Sequence, residues 1–167
     1  MYNIIHIRQS NISQKVLDEI IKIKSVAWPF SYKDHNKWIH NNLIDSDIHL
    51  ILSLNGTNVA YLNLINLKLE LDGNIHTGFG LGNICVIEKG KGWGTEILTQ
   101  ANIYIKKEDN IGLLFCKNSR ISFFSSNNWV LLDKNKLTLP FNNILIETMI
   151  FNCNTEFRNL NYRDRIF

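Results

Sequence analysis

The stretch Val86-Ile87-Glu88-Lys89-Gly90-Lys91-Gly92-Trp93-Gly94-Thr95 decides how this chain is read. It follows a run from Ile75 to Ile87 that reads as an irregular strand, with Gly78, Gly80 and Gly82 close together and a bulge expected among them. Beyond it, Ile97, Leu98, Ala101, Ile103, Tyr104 and Ile105 recur at roughly helical spacing. Glycines between a strand and a helix let the backbone approach a ligand and turn its N–H groups inward. The helix start adds unpaired donors and the positive end of its dipole. That combination suits a pyrophosphate, and the same letters also fit a structural turn without a ligand. Lys89 and Lys91 add charge at the rim, attracting more than they orient. Gly90-Lys91 is not followed by Ser or Thr, which excludes the nucleoside triphosphate loop. The G-x-G-x-G spacing also departs from the dinucleotide fingerprint.

Working outward, Tyr2 to Arg8 reads as a strand, and Asn11 with Gln14 as a capping box that opens a first helix. Val16, Leu17, Ile20, Ile21 and Ile23 form its apolar side, with Lys15, Asp18, Glu19 and Lys22 opposite, until Trp28-Pro29 interrupts. A second helix is expected from Tyr32 to Leu43, capped by Ser31. Ile48 to Leu54 and Thr57 to Leu67 flank Asn55-Gly56, a pair suited to a type I' hairpin. Ile111 to Cys116 reads as a buried strand and Asn118 to Asn127 as a short helix, with Asn128 in the left-handed conformation at its end. Trp129 to Leu132 and Ile144 to Phe151 complete the strands. Residues 1–152 are expected to form one domain, with 153–167 a polar, loosely held tail.

With 45% hydrophobic and 20% charged residues, the composition is that of a globular chain. A net charge of +3, scattered along the sequence, gives little support for nucleic acid as a partner and suits a small anionic cofactor better. No apolar run is long enough for a membrane span and no signal pattern opens the chain, so a cytoplasmic location is expected. Cys85, Cys116 and Cys153 show neither disulfide nor zinc spacing. His35 and His40, five apart on a predicted helix, do not share a face, and no metal is expected. Monomer and homodimer both remain open.

Lys89-Gly90-Lys91-Gly92-Trp93-Gly94 resembles the cofactor motif of the GNAT acetyltransferases, which is Gln or Arg, two residues, Gly, one residue, then Gly or Ala. Lys89 departs from it at the first position. Phe123-Phe124 followed by Asn128-Trp129 is similar to the family's Phe-Tyr pair and the Gly-Phe or Gly-Trp after it. The resemblance implies an α/β (α+β) fold with a mixed, mostly antiparallel sheet of about six to seven strands and about four helices. It also implies acetyl-CoA as cofactor, a small-molecule amine as acceptor, and direct attack in a ternary complex. Cofactor contacts would come from Ile84, Cys85 and Val86, whose backbone would polarise the thioester carbonyl. Others would come from Lys89, Gly90, Lys91, Gly92, Trp93, Gly94 and Thr95, and from Asn118 and Phe124.

The family's usual proton donor is the Tyr of that pair, and Phe124 stands there, so Cys116, Ser122, Ser125 or water would protonate the departing thiolate. Glu70 and His76, near the Asp72-Gly73 turn, are the candidate bases, and each also reads as a solvated turn residue. Trp28, Phe30, Tyr32 and Trp38 would line the acceptor site or, equally, serve as core for the helical pair. The Phe123 to Trp129 segment with the tail is faintly similar to aminoglycoside 2'-N-acetyltransferases, implying an amino sugar acceptor. Arg158, Arg163 and Arg165 allow an acceptor on protein or aminoacyl-tRNA instead, and the absent tyrosine allows a non-catalytic coenzyme A-binding domain.

Overall fold

Nine β-strands and four α-helices are present among residues 2–167, the part of the chain that the computed structural model describes. Two units divide the chain. The first holds the residues up to Ile65 together with Gly82–Ala101, and the second holds Asn66–Leu81 with Asn102–Phe167.

In the first unit, β1 (Tyr2–Arg8) pairs antiparallel with β2 (Ile48–Leu54), from Tyr2 opposite Leu54 to Arg8 opposite Ile48. β2 pairs antiparallel with the start of β3 (Thr57–Leu71), with a bulge between Leu52 and Ser53. Asn55 and Gly56 both carry positive φ, 51° and 83°, as a type I' turn requires. Helices α1 (Gln14–Ala27) and α2 (Tyr32–Asn42) come between β1 and β2 in the chain. Asn11 does not cap α1: it lies in a 3-10 turn, Gln9–Asn11, and Ser13 is the cap, accepting from the Val16 N–H. A Ser oxygen one step before the helix reaches a free N–H that Asn11, held in its own turn, does not. Ser31 caps α2 as expected, accepting from the Asp34 N–H at 3.2 Å. Buried Leu17, Ile20 and Ile21 on α1 and Ile39 on α2 supply the helical part of the core, and Leu50, Ile51, Leu52, Ala60, Tyr61 and Leu62 the strand part.

A polar network crosses that apolar interior. His49 is fully buried between the Tyr61 hydroxyl, 2.9 Å from Nδ1, and Gln9 Oε1, 2.6 Å from Nε2. An amide oxygen only accepts, so Nε2 carries the hydrogen and Nδ1 accepts from Tyr61. Burial brings the His49 pKa down to about 4, against the Asp47 carboxylate and helped by the Lys24 ammonium. With the folded value below the unfolded one of about 6.5, acidification loads a proton onto the unfolded chain first. Stability present above about pH 6.5 is therefore lost as pH falls through about 4, by up to about 3 kcal/mol. Urea midpoints across this range are expected to fall steeply for the native chain and to flatten in His49→Gln.

β4 (Asn74–Val86) and α3 (Trp93–Lys107) each contribute residues to both units; within the second, β4 pairs parallel with β5 (Ile111–Lys117) at Gly78–Gly80, and α3 is the crossover between them in sequence. β5 then pairs antiparallel with β8 (Ile146–Phe151), which also takes the short β6 (Val130–Leu131). α4 (Ile121–Ser125) follows a 3-10 turn, and Asn128 closes this region at φ 67°, as its residue type led us to expect. Trp129 is buried, its indole N–H donating to Asn102 Oδ1 at 3.0 Å. β7 (Leu137–Thr138) and β9 (Leu160–Asn161) are parallel to each other, and β9 adds antiparallel to β3 at Glu70 and Leu71. The sheet pairings are thus mostly antiparallel, and the strands beyond the six or seven expected are two-residue pieces.

The segment after Asn152 is not a loose tail. Leu160 and Tyr162 are buried, and the Asp72 carboxylate accepts from the backbone N–H groups of Arg158 and Asn159 at 2.8–3.1 Å. Those bonds hold the Asp72 carboxyl below its usual range. The Arg165 guanidinium donates to the Asn66 carbonyl, and the Phe167 ring packs on Phe115 with centroids 5.0 Å apart. Polar residues in this segment spend their hydrogen bonds inward, which its composition did not reveal.

Candidate active site

Between the end of β4 and the start of α3 the chain makes the glycine turn. The Ile87 N–H donates to the Val59 carbonyl at 3.0 Å, which ties the strand end down before the turn begins. Gly90 and Gly92 then adopt φ of 81° and 78°. A Cβ built on either would meet nothing within 4 Å, so the left-handed backbone, not crowding, calls for glycine there. The space over both positions is open to a ligand. The first intrahelical bond of α3 runs from Glu96 N–H to the Gly92 carbonyl. Trp93, Gly94 and Thr95 in the first turn have no helical acceptor for their N–H groups. Lys91 and Glu88, both exposed, form an ion pair at 3.2 Å, and Lys89 is exposed beside them. This is a backbone cradle with a lightly charged rim, and its residues fit an anionic group of pyrophosphate type.

β4 does contain an irregularity, but not at its glycines. Asn83 takes φ 54° in mid-strand, immediately before Ile84, Cys85 and Val86. Gly78 and Gly80 have a different reason: a Cβ at Gly78 would lie 2.7 Å from the Ile111 carbonyl oxygen, and one at Gly80 2.4 Å from the Phe167 ring. Cys85 is buried, and burial pushes its thiol up to about 12 in spite of the Lys24 ammonium nearby. Buried in this way the thiol stays protonated at neutral pH, which makes it a poor nucleophile.

Lys24 is the feature that sequence reading passed over. It is 2% exposed, and its ammonium donates to Asn83 Oδ1 at 2.7 Å. Three rings surround it, Trp38 at 4.1 Å, Trp28 at 5.6 Å and Tyr61 at 6.0 Å from ring centroid to Nζ. Asn83 in turn donates through Nδ2 to Asn63 Oδ1 at 2.8 Å. Burial lowers the Lys24 pKa to about 8. The signal was available, because Leu17, Ile20, Ile21 and Lys24 stand at i, i+3, i+4 and i+7, which puts this lysine on the apolar stripe of α1.

Of the aromatic residues expected to line an acceptor site, Trp28 and Trp38 come together around Lys24. Phe30 and Tyr32 do not join them. Phe30 is exposed beside the His35 ring, and the Tyr32 hydroxyl donates to Asp18 Oδ1 at 2.7 Å while accepting from Gln14. In the second unit, Glu70 and His76 are half-buried on either side of the Asp72-Gly73 turn. Cys116 lies buried on β5 with Sγ 3.9 Å from Met149 Sδ, its pKa raised by burial and by Glu147. Asn118 is exposed. Phe124 is buried, with ring contacts to Phe123 and Trp129.

No protein-family model matches the chain, and no curated protein sequence matches it. Solved structures do. An acyl-CoA N-acyltransferase from Pseudomonas aeruginosa superposes with a TM-score of 0.64 at 13% identity, over 90% of this chain and 99% of that one. An N-acetyltransferase from Staphylococcus aureus Mu50 gives 0.64 at 15%, over 90% and 97%. The ribosomal-protein-S18-alanine N-acetyltransferase from Escherichia coli gives 0.60 at 18%, over 90% and 91%. At these identities the likeness establishes a GNAT-like fold. Among the described residues, no helix is long and apolar enough to cross a membrane.

Proposed function

We propose that this chain transfers an acetyl group from acetyl-CoA to the primary amine of a small molecule, by direct attack in a ternary complex. The observation that carries the reading is the pair of left-handed glycines, Gly90 and Gly92, set between β4 and the start of a 15-residue helix. Its support is the fold, shared with N-acyltransferases of closely similar length.

In this reading the backbone of Gly90 to Thr95 holds the pyrophosphate, and the bound acetyl-CoA supplies the acyl group as an activated thioester. The N–H groups of Ile84 to Val86 polarise its carbonyl, an effect that needs donors fixed in advance. Asn83 contributes by setting where those groups point. Glu70 or His76 takes the proton from the acceptor ammonium, and Cys116, Ser122, Ser125 or water returns one to the departing sulfur. Most of the acceleration comes from holding amine and thioester in contact, worth at best about 7–11 kcal/mol.

Titration of acetyl-CoA into the purified chain tests this first. One-to-one binding is expected, followed by thiol release when primary amines are screened. A folded protein that binds no acetyl-CoA would return the glycine turn to a purely structural role. Binding without turnover on any amine would favour a coenzyme A-binding domain. A protein acceptor is the second reading, favoured by the shared fold of the S18-alanine enzyme. The amino-sugar acceptor keeps only its likeness in sequence. An RNA-borne acceptor has less support, because the net charge of +3 is scattered along the chain.

A further inference from the structure

The polar chain at the end of β4 has a direction that the atoms themselves dictate. An ammonium has only donors, so the Asn83 oxygen must face Lys24. The Asn83 nitrogen then faces Asn63 and donates to its oxygen. Asn63 is left with its Nδ2, which is fully buried and has no hydrogen-bond partner. Lys24 likewise uses one of its three hydrogens on Asn83, and among the described residues no carboxylate lies within ion-pair distance of it. Surplus donors and an unbalanced positive charge thus stand in one buried cluster. Such a set is costly unless an acceptor, and an anionic one, completes it. At neutral pH the ammonium is largely protonated, since burial lowers its pKa only to about 8.

We infer that Lys24 Nζ and Asn63 Nδ2 receive a carboxylate, and that the acceptor is an amino acid or a close analogue with amine and carboxylate a few bonds apart. The two oxygens of a carboxylate offer about four lone pairs, enough for both groups. A water molecule would satisfy the donors but leave the charge unbalanced. Position favours the acceptor as its source. Asn83, which Lys24 holds, immediately precedes the backbone expected to polarise the thioester, so an amine near this carboxylate would stand near the acyl carbon. Of the caging rings, Tyr61 is buried and Trp28 and Trp38 are only partly so, which makes the two tryptophans the outer wall of the cage. That the anion belongs to an acceptor rests on the acyl-transfer reading above. That an anion binds here does not.

The test is calorimetric titration of a set of N-acetylated amino acids, spanning acidic, basic, aromatic and aliphatic side chains, each against its carboxamide. At least one carboxylate is expected to bind about tenfold or more tightly than its amide. Lys24→Met and Asn63→Leu should each remove that preference. The inference fails if no carboxylate in the set outbinds its amide, a comparison that needs no variant, or if the preference survives Lys24→Met. Acetyl-CoA binding without a carboxylate preference would overturn this inference alone. A Lys24-dependent preference without acetyl-CoA binding would keep the anion site and discard acyl transfer.

Discussion

Gly92→Glu is expected to lower acetyl-CoA affinity by more than about 100-fold, read by the same calorimetric titration that detects wild-type binding. Two effects act together. The new carboxylate would sit where the N–H groups of the cradle face a pyrophosphate, reversing the sign of the local field. A side chain at φ 78° also strains the turn by about 1–2 kcal/mol, which loosens the backbone that must hold the ligand. A control separates these effects from simple instability. Gly56 has φ 83° and equally open space around it, but it lies at the tip of the β2–β3 hairpin. Gly56→Glu adds the same charge and comparable strain, and is expected to cost stability without costing affinity. Equal loss of affinity in both variants would remove the glycine turn from the site.

Gly78→Ala is expected to destabilise the fold by about 3 kcal/mol, a fall of roughly 6–12 °C in Tm for a chain of this size. The added Cβ would lie 2.7 Å from the Ile111 carbonyl oxygen and 3.0 Å from Leu67 Cδ1. That oxygen belongs to the parallel β4–β5 ladder, where Gly78 stands opposite Ile111, and it cannot retreat without breaking the pairing. Gly80→Ala makes a nominally worse clash, 2.4 Å, but against the Phe167 ring. The far edge of a side-chain ring can shift where ladder backbone cannot, so its cost should be smaller. Thermal melts of the two variants check the order, and a larger loss at Gly80 would mean that the Phe167 ring is as firmly held as the ladder.

Local chemistry explains which parts of this molecule were legible in its sequence. Asn55-Gly56 and Asn128 act through their own φ preferences, and both appear where residue type alone would put them. The glycine turn was legible for the same reason. Lys24 was legible only in part: its spacing with Leu17, Ile20 and Ile21 puts it on the apolar stripe, but Asn83 and Asn63, which complete its polar chain, are 59 and 39 positions away. β9 was not legible: two residues carry no periodicity, and only its pairing with Glu70 and Leu71 defines it as a strand. Glu70, His76 and Cys116 are candidates by chemical type and place in the chain. Their roles depend on how an acceptor is held, which no local pattern encodes.

The docking of β9 against β3 bears on how the chain is made. Leu71 meets Leu160, about ninety residues later, and Asp72 caps the same junction through Arg158 and Asn159. Contacts that close so long a loop are paid for in entropy before they return anything, so they form late. During synthesis the far end of β3 therefore waits, along the edge that β9 will take, until residue 160 has emerged from the ribosome. A partly made chain exposes a strand edge that another nascent copy can occupy. This late-made segment thus acts as the chain's own guard against sticking to its neighbours.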